Sequence, residues 1–437
     1  LAHAAAGLDA CVHCGFCLQA CPTYVNLEDE NDSPRGRLVI MKRMLVGDIA
    51  LDDADAGVHL DRCLGCRACE TACPSGVPYG ELLEATRATT APVRGMPWVA
   101  RLVLWVFQHT TLLRVCMAAA RLFRWTGIPR AIAPLLPDRM AFPMAMLAST
   151  APIPIAAPLT TPLTTPLAAP IAAPVGSQAA TPVDAARDQH NTRVTTLQGC
   201  VMHGLFAHVN DATSRTLHHN GFAVVPTAQQ HCCGALHAHA GNLTRARDLA
   251  KRNIVAFEST APAPIVINSA GCGAMVKQYG HLLSDDPVWA SRAAAVAARA
   301  RDVSEMLAGV GPKPGAPLAL RVTHDPPCHQ MHAQRIVDQP YAVLRAVPEL
   351  TLIPLTDAEQ CCGSAGIYNL VEPATSDAVL APKLHHIAEA HHTGGAQLVA
   401  TGNPGCMMQL GAGLLLQRSP LRVVHPVEIL DASYRAL

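Results

Sequence analysis

The sequence predicts an α+β protein: a mainly helical N-terminal domain organised by cysteines, then a duplicated α/β cysteine-rich domain. Three observations predict it. Eight cysteines stand in two copies of one spacing before residue 75. A proline-rich stretch near the middle cannot hold a helix or an inner strand. Beyond it, strand-like runs alternate with helical ones, and a Cys-Cys-Gly sequence occurs twice in the same order of motifs.

The first cysteine run is Cys11-x2-Cys14-x2-Cys17-x3-Cys21-Pro22 and the second is Cys63-x2-Cys66-x2-Cys69-x3-Cys73-Pro74. Two-residue gaps let three successive sulfurs point at one centre, and the fourth ligand of a cube then comes from the other run. The spacing therefore predicts a ferredoxin-type domain over residues 1–90 holding two [4Fe–4S] clusters. Cys11, Cys14, Cys17 and Cys73 would hold one; Cys63, Cys66, Cys69 and Cys21 would hold the other. A disulfide framework or structural zinc does not account for two copies of one spacing with a proline after each.

Between the runs, Ser33-Pro34-Arg35-Gly36-Arg37 precedes Leu38–Leu45, whose apolar residues recur at helical spacing. Arg35 and Arg37 either offset cluster charge or fix the loop before this helix. Arg62 and Arg67 flank cysteines of the second run and are further candidates for tuning. Residues 91–144 read as a helical connection. Within it, Trp98–Trp125 carries apolar residues broken by Arg101, His109, Arg114, Arg121 and Arg124. That pattern fits a helix pair packed on the protein or a partner, with a membrane-interface helix as the alternative. Cys116 is assigned to packing there. Residues 145–190 form a Pro/Ala/Thr-rich linker.

The C-terminal region divides into halves at 191–310 and 311–437. Strands are expected at 194–197, 222–225, 265–268, 320–323, 352–355 and 398–401, with helices such as 244–258 and 289–307. The first half contains Cys200, Cys232-Cys233-Gly234 and Cys272; the second contains Cys328, Cys361-Cys362-Gly363 and Cys406. All follow strands, where open α/β sheets gather ligands. Each half can thus bring four sulfurs to one place, for one or two further iron–sulfur or zinc sites, or for redox-active thiols. The glycine after each pair permits backbone that other residues resist. His203, His231, His324, His329 and His425 lie near these motifs.

Lysine plus arginine equals aspartate plus glutamate at 33 each. That balance argues against a nucleic-acid partner. Seventeen cysteines in metal-type spacings fit a reducing compartment. The start at Leu1, without Met, fits a truncated sequence and shows no signal-peptide pattern, so the expected location is cytoplasmic, or peripheral on the inner face of the cell membrane.

With Cys69-Glu70-Thr71-Ala72-Cys73-Pro74-Ser75-Gly76-Val77, Ser269-Ala270-Gly271-Cys272-Gly273 and Cys361-Cys362-Gly363-Ser364-Ala365-Gly366 in view, the chain resembles the iron–sulfur subunits of bacterial glycolate oxidase. Its Cys-Cys-Gly halves are also similar to the cysteine-rich domain of heterodisulfide reductase and of anaerobic glycerol-3-phosphate dehydrogenase. In the reductase a further cysteine follows three positions after the last; here Met275 and Gln409 stand there. The resemblance implies a subunit of a glycolate oxidase (glycolate dehydrogenase) complex without catalytic residues of its own. It would relay electrons from flavin-binding subunits, which oxidise glycolate to glyoxylate, toward a quinone or other membrane electron acceptor. The alternatives are a heterodisulfide-reductase-like thiol/disulfide reductase, or an iron–sulfur subunit serving lactate or another 2-hydroxy acid. No Gly-x-Gly-x-x-Gly fingerprint or Walker lysine loop occurs.

Overall fold

A computed structural model describes residues 5–155 and 192–437. Most of the expected linker lies outside the described residues. Ala145–Ser149, placed in that linker, instead close the helix Asp138–Ser149, which ends just before the first prolines of the stretch.

The N-terminal part is helical. Its longest inter-run helix, Pro34–Val46, begins four residues before the expected Leu38. Ser33 explains the early start: its side chain accepts from the Gly36 N–H at 3.0 Å, and Pro34 occupies the first turn, where its missing N–H costs nothing. Gly36 is obligatory, because a Cβ there would strike the Glu30 carbonyl oxygen. Leu38, Met41, Met44, Leu60, Leu82 and Leu83 form a small core with Cys63 and Cys69. The helix Tyr79–Arg94 carries the chain past the expected boundary at residue 90. Leu82, Leu83, Thr86 and Thr90 lie on its buried face.

The helices Trp98–Gln108 and Thr110–Trp125 meet at a bend of 106°. Among the described residues no single helix is long and apolar enough to cross a membrane.

The C-terminal region holds two four-stranded parallel sheets. Strands β1 (Thr192–Thr196), β2 (Phe222–Val225), β3 (Ile265–Ile267) and β4 (Ala300–Asp302) lie in the order β2-β1-β3-β4. Strands β5 (Arg321–His324), β6 (Thr351–Ile353), β7 (Leu398–Ala400) and β8 (Arg422–Val424) lie in the order β6-β5-β7-β8. The two sheets have the same topology, as the internal repeat predicts. Two edge strands were not legible. The Ala/Arg-rich run expected as one helix over 289–307 is broken by β4, which pairs Ile265 with Ala300 and Ile267 with Asp302. Strand pairing overrides the helical propensity of alanine there, and Asp302 then caps the next helix through a capping box with Glu305.

The halves share one core that joins Val194, Phe206 and Leu217 to Val322, Val399 and Leu430. The loops after β3 and β7 bind each other directly. The Ala270 N–H donates to the Gly402 carbonyl at 3.1 Å, and the Gly271 N–H donates to Asn403 Oδ1 at 3.2 Å.

Candidate electron-transfer centres

In each sheet the strand order reverses between two neighbours, β1 and β3 or β5 and β7. Crevices for ligands open at the carboxyl ends of strands flanking such a point. Cys200 follows β1 and Cys272 follows β3; Cys328 follows β5 and Cys406 follows β7. The Cys-Cys-Gly turns after β2 and β6 fold in beside them. Gly234 (φ 96°) and Gly363 (φ 86°) stand in the left-handed region, which turns each chain out of the paired cysteines.

All eight of these cysteines line a single cavity of about 260 Å³. The sulfurs are strung in the same order in both halves. Cys200 Sγ lies 3.6 Å from Cys232 Sγ, with Cys233 and then Cys272 continuing the chain. Cys328, Cys361, Cys362 and Cys406 repeat it. Hydrogen bonds between sulfurs hold Cys232 and Cys272 below the usual thiol range and push Cys200 and Cys233 above it. In the second half, the hydrogen bond with Cys361 and burial push the Cys328 thiol well up. The raised thiols of such a crowded, desolvated set become thiolates when a metal cation replaces their protons.

The halves differ in one buried charge. Lys383 lies 3.2 Å from Asp325 Oδ1, both inaccessible to solvent, and donates to the Asp357 and Ala358 carbonyls. Burial opposes its charge, but Asp325, Cys328 and Cys362 outweigh burial and raise its pKa. In the first half Asn253 bonds the Cys232 carbonyl at 3.0 Å.

The N-terminal cysteines line two further cavities. Cys11, Cys14, Cys17 and Cys73 face one, into which Cys69 also reaches. Cys21, Cys63, Cys66 and Cys69 face the other. Burial pushes the Cys17 thiol up to about 11, and raises Cys66 and Cys69 well above the usual value. Cys63 goes the other way. Burial works against its thiolate, but Arg37 and Arg87, with the Gly65 N–H and Tyr79 OH, pull its pKa down. The Tyr79 hydroxyl donates to Cys63 Sγ at 3.5 Å. These all-sulfur sets of four fit a cationic iron core held by four thiolates.

The structure separates the two arginines that the sequence left open. Arg35 is partly exposed, paired with Glu30 at 2.6 Å, and reaches the His13 carbonyl at 3.4 Å, so it pins the first cysteine loop. Arg37 is fully buried between the two runs. It donates to the His59 carbonyl, Thr23 Oγ1 and Asp32 Oδ1, with Nη1 3.9 Å from Cys21 Sγ. Asp32 also accepts from Arg62 at 2.9 Å. Arg67 pairs with Glu70. Arg87, Tyr79, Lys383 and Asp325 were missed in the sequence because nothing local marks them; they reach the cysteines only through tertiary packing.

Among the described residues, the one set of three or more metal-type ligands with all ligand atoms within 4.8 Å of one another is Asp29, Asp32 and His59. Arg37 and Arg62 already pair with its Asp32 carboxylate. No cysteine set is that tight. Met275 turns into the core of the first half, and Gln409 bonds Asn369 and Ser376, so neither reaches toward the sulfurs as a further ligand. His203 is exposed, His231 meets Thr110 Oγ1, His425 meets the Asn268 carbonyl, and His324 is buried against Tyr341. His329 lines the eight-cysteine cavity. Cys116 is exposed, not packed as expected, because the helix turns that position outward beside Val115.

The three cavities adjoin. Cys69 lines the first and second, and Cys66 lines the second and the eight-cysteine cavity. The N-terminal and C-terminal parts are locked at this junction. The Tyr368 hydroxyl donates to the Arg62 carbonyl at 2.7 Å, and Arg87 donates to the His239 carbonyl at 3.0 Å.

Residues 7–77 match the 4Fe-4S dicluster domain, and residues 194–277 and 322–411 each match the cysteine-rich domain. The probable glycolate oxidase iron-sulfur subunit of Bacillus subtilis (strain 168) is 33% identical over 437 residues, covering 96% of this chain and 92% of that protein. The glycolate oxidase iron-sulfur subunit of Escherichia coli (strain K12) is 32% identical over 433 residues, covering 97% and 93%. Lactate utilization protein A of Exiguobacterium sp. (strain ATCC BAA-1283 / AT1b) is 31% identical over 234 residues, covering 53% of this chain and 94% of that protein. With its dicluster domain, its duplicated cysteine-rich domain and full-length similarity to these proteins, the chain is an iron–sulfur protein that belongs to the family of glycolate oxidase iron–sulfur subunits.

Proposed function

We propose that this chain is the electron-transfer subunit of a flavin-dependent 2-hydroxy-acid oxidoreductase. It takes electrons from a flavin-binding subunit that oxidises glycolate to glyoxylate and passes them toward a quinone-type acceptor, at the inner face of the cell membrane. The observation that carries this reading is the unbroken sequence of cysteine-lined cavities, joined at Cys69 and Cys66. Cys11, Cys14, Cys17 and Cys73 hold one cube, and Cys21, Cys63, Cys66 and Cys69 hold the other. When bound, such clusters supply one-electron carriers that divide the electron pair of a reduced flavin.

The residues set a direction for this traffic. Cys14 is exposed, and Val12 and Phe16 present apolar side chains around it, as a docking face for the flavoprotein requires. Cys66 is half-buried, packs against the cluster that contains Cys328 and Cys361, and leads inward. Arg37 and Tyr79 favour electron density on the Cys63 side. The eight C-terminal cysteines hold one or two further iron–sulfur clusters. A tetrahedral zinc needs its own closed set of four sulfurs; the common cavity that all eight cysteines line supports clusters instead.

The test is Cys66→Ser, prepared without oxygen together with the flavoprotein. Glycolate should still reduce the flavin, one cubane paramagnetic signal should be missing, and quinone reduction should stop. Quinone reduction that survives the loss of that cluster would refute the relay order. Disulfide reduction by the purified chain alone, without a flavoprotein, would favour a thiol reductase instead.

A further inference from the structure

Between Glu84 and Asp138 the chain carries no acidic residue, although its overall charge is balanced. The bent helix pair Trp98–Gln108 and Thr110–Trp125 lies within this stretch. Arg101, Arg114, Arg121 and Arg130 are exposed there, and none pairs with a carboxylate among the described residues. The same two helices expose Trp98 (68% exposed), Trp105 (49%) and Trp125 (84%), with Leu102, Val115 and Leu122. Three of the chain's four tryptophans thus face outward on one acid-free element. Arginine heads beside tryptophan and leucine suit the boundary between anionic headgroups and acyl chains. A pair bent by 106° cannot cross a bilayer as one helix, but it can lie in its surface.

The opposite side of the first helix roofs the interior. Ala100 on it, with Met96 and Pro97 just before it, lines a chamber of about 150 Å³ that Cys63 and Leu64 also line. Val103 and Phe107 line the eight-cysteine cavity, and Leu64, Leu236 and Ile367 belong to both spaces. One helix therefore presents its outer face to the surroundings and its inner face to a mostly apolar passage that ends at the cysteines.

We propose that this helix pair seats the protein on an anionic membrane surface, and that the chamber beneath it admits a lipid-dissolved quinone. This rests on the relay reading above. The quinone is reduced to quinol by two electrons delivered singly from this chain's iron–sulfur centres, which the partner's reduced flavin replenishes, and by two protons from solvent. The quinol then leaves to the bilayer.

Two measurements on the complex test it. The first is co-sedimentation, with tryptophan emission, on vesicles of phosphatidylglycerol and phosphatidylcholine against phosphatidylcholine alone. The wild type should bind the anionic vesicles with a blue shift, less at high salt, and Trp98→Ser/Leu102→Ser/Trp105→Ser should weaken binding at least about tenfold. The second compares a short-chain quinone with a water-soluble dye as acceptor. Ala100→Trp should raise the KM for quinone about tenfold while dye reduction and cluster signals stay unchanged. Wild-type protein that ignores anionic vesicles, or a triple variant that loses its flavoprotein rather than its vesicle binding, would overturn the proposal. So would unchanged quinone kinetics in Ala100→Trp. Failure of the wild type to reduce the dye would instead refute the relay reading, which keeps the two apart.

Discussion

Removing the positive charge of Arg37 should lower the potential of the cluster held by Cys21, Cys63, Cys66 and Cys69. Arg37 is buried, with Nη1 3.9 Å from Cys21 Sγ. Two unit charges about 4 Å apart at an effective dielectric near 20 interact by about 4 kcal/mol. The added electron spreads over the cube, which reduces the share felt at Arg37 to roughly 2 kcal/mol. For a one-electron couple about 59 mV corresponds to a tenfold change, or about 1.4 kcal/mol. Arg37→Met should therefore shift the midpoint down by about 80 mV, and Arg37→Lys, which keeps the charge, by less than about half of that. The assay is an anaerobic redox titration followed by the paramagnetic signal of each cluster. Arg37→Met also leaves Asp32 with a weaker set of partners, and breaking a buried pair costs about 3–5 kcal/mol. Arg37→Met/Asp32→Asn removes that under-neutralised carboxylate and serves as the folded control. A variant with full iron content and a midpoint within about 20 mV of wild type would refute the electrostatic assignment.

Lys383→Met should destabilise the second cysteine-rich half by about 3–5 kcal/mol, because it strands Asp325 without its ion-pair partner. Lys383→Met/Asp325→Leu should recover most of that loss; anaerobic urea unfolding measures both. The pH dependence has a definite sign at His425. Burial lowers its pKa to about 4, its Nε2 meets the Asn268 carbonyl at 3.0 Å, and its Nδ1 accepts from the Val427 N–H at 3.1 Å. Between about pH 6.5 and 4 the unfolded chain binds this proton and the folded chain does not, so stability falls on acidification by up to about 1.4 kcal/mol per pH unit. His425→Gln should flatten the unfolding midpoint against pH across that window; an unchanged slope would mean another group dominates.

How far the sequence could be read follows the range of the interactions involved. The cysteine runs are local, since two-residue gaps set the sulfurs of one loop around one point, and so the dicluster pattern is legible in the sequence. The repeat was readable because duplication preserves the order of strand, cysteine and turn. The strands β4 and β8 were not, since Ala300–Asp302 and Arg422–Val424 are short and owe their extended state to the neighbouring strand. Cys116 was misread because helical periodicity in Thr110–Trp125 does not say which side the rest of the molecule covers. Arg35 and Arg37 stood two positions apart with the same reading; burial alone distinguished the loop pin from the interior charge.

Spacing and chemistry in the linear chain determined the dicluster-type cysteine pattern, the duplicated α/β architecture and the absence of a charge bias toward nucleic acid. Only the tertiary structure decided that the two Cys-Cys-Gly halves empty into one cavity, that Cys66 and Cys69 join the centres in a row, and that Arg37, Tyr79, Arg87 and Lys383 stand beside the sulfurs. The physical reason is distance along the chain. Ligand loops close over a few residues, whereas a buried cation meets its thiolate only after two separately formed cores have packed together.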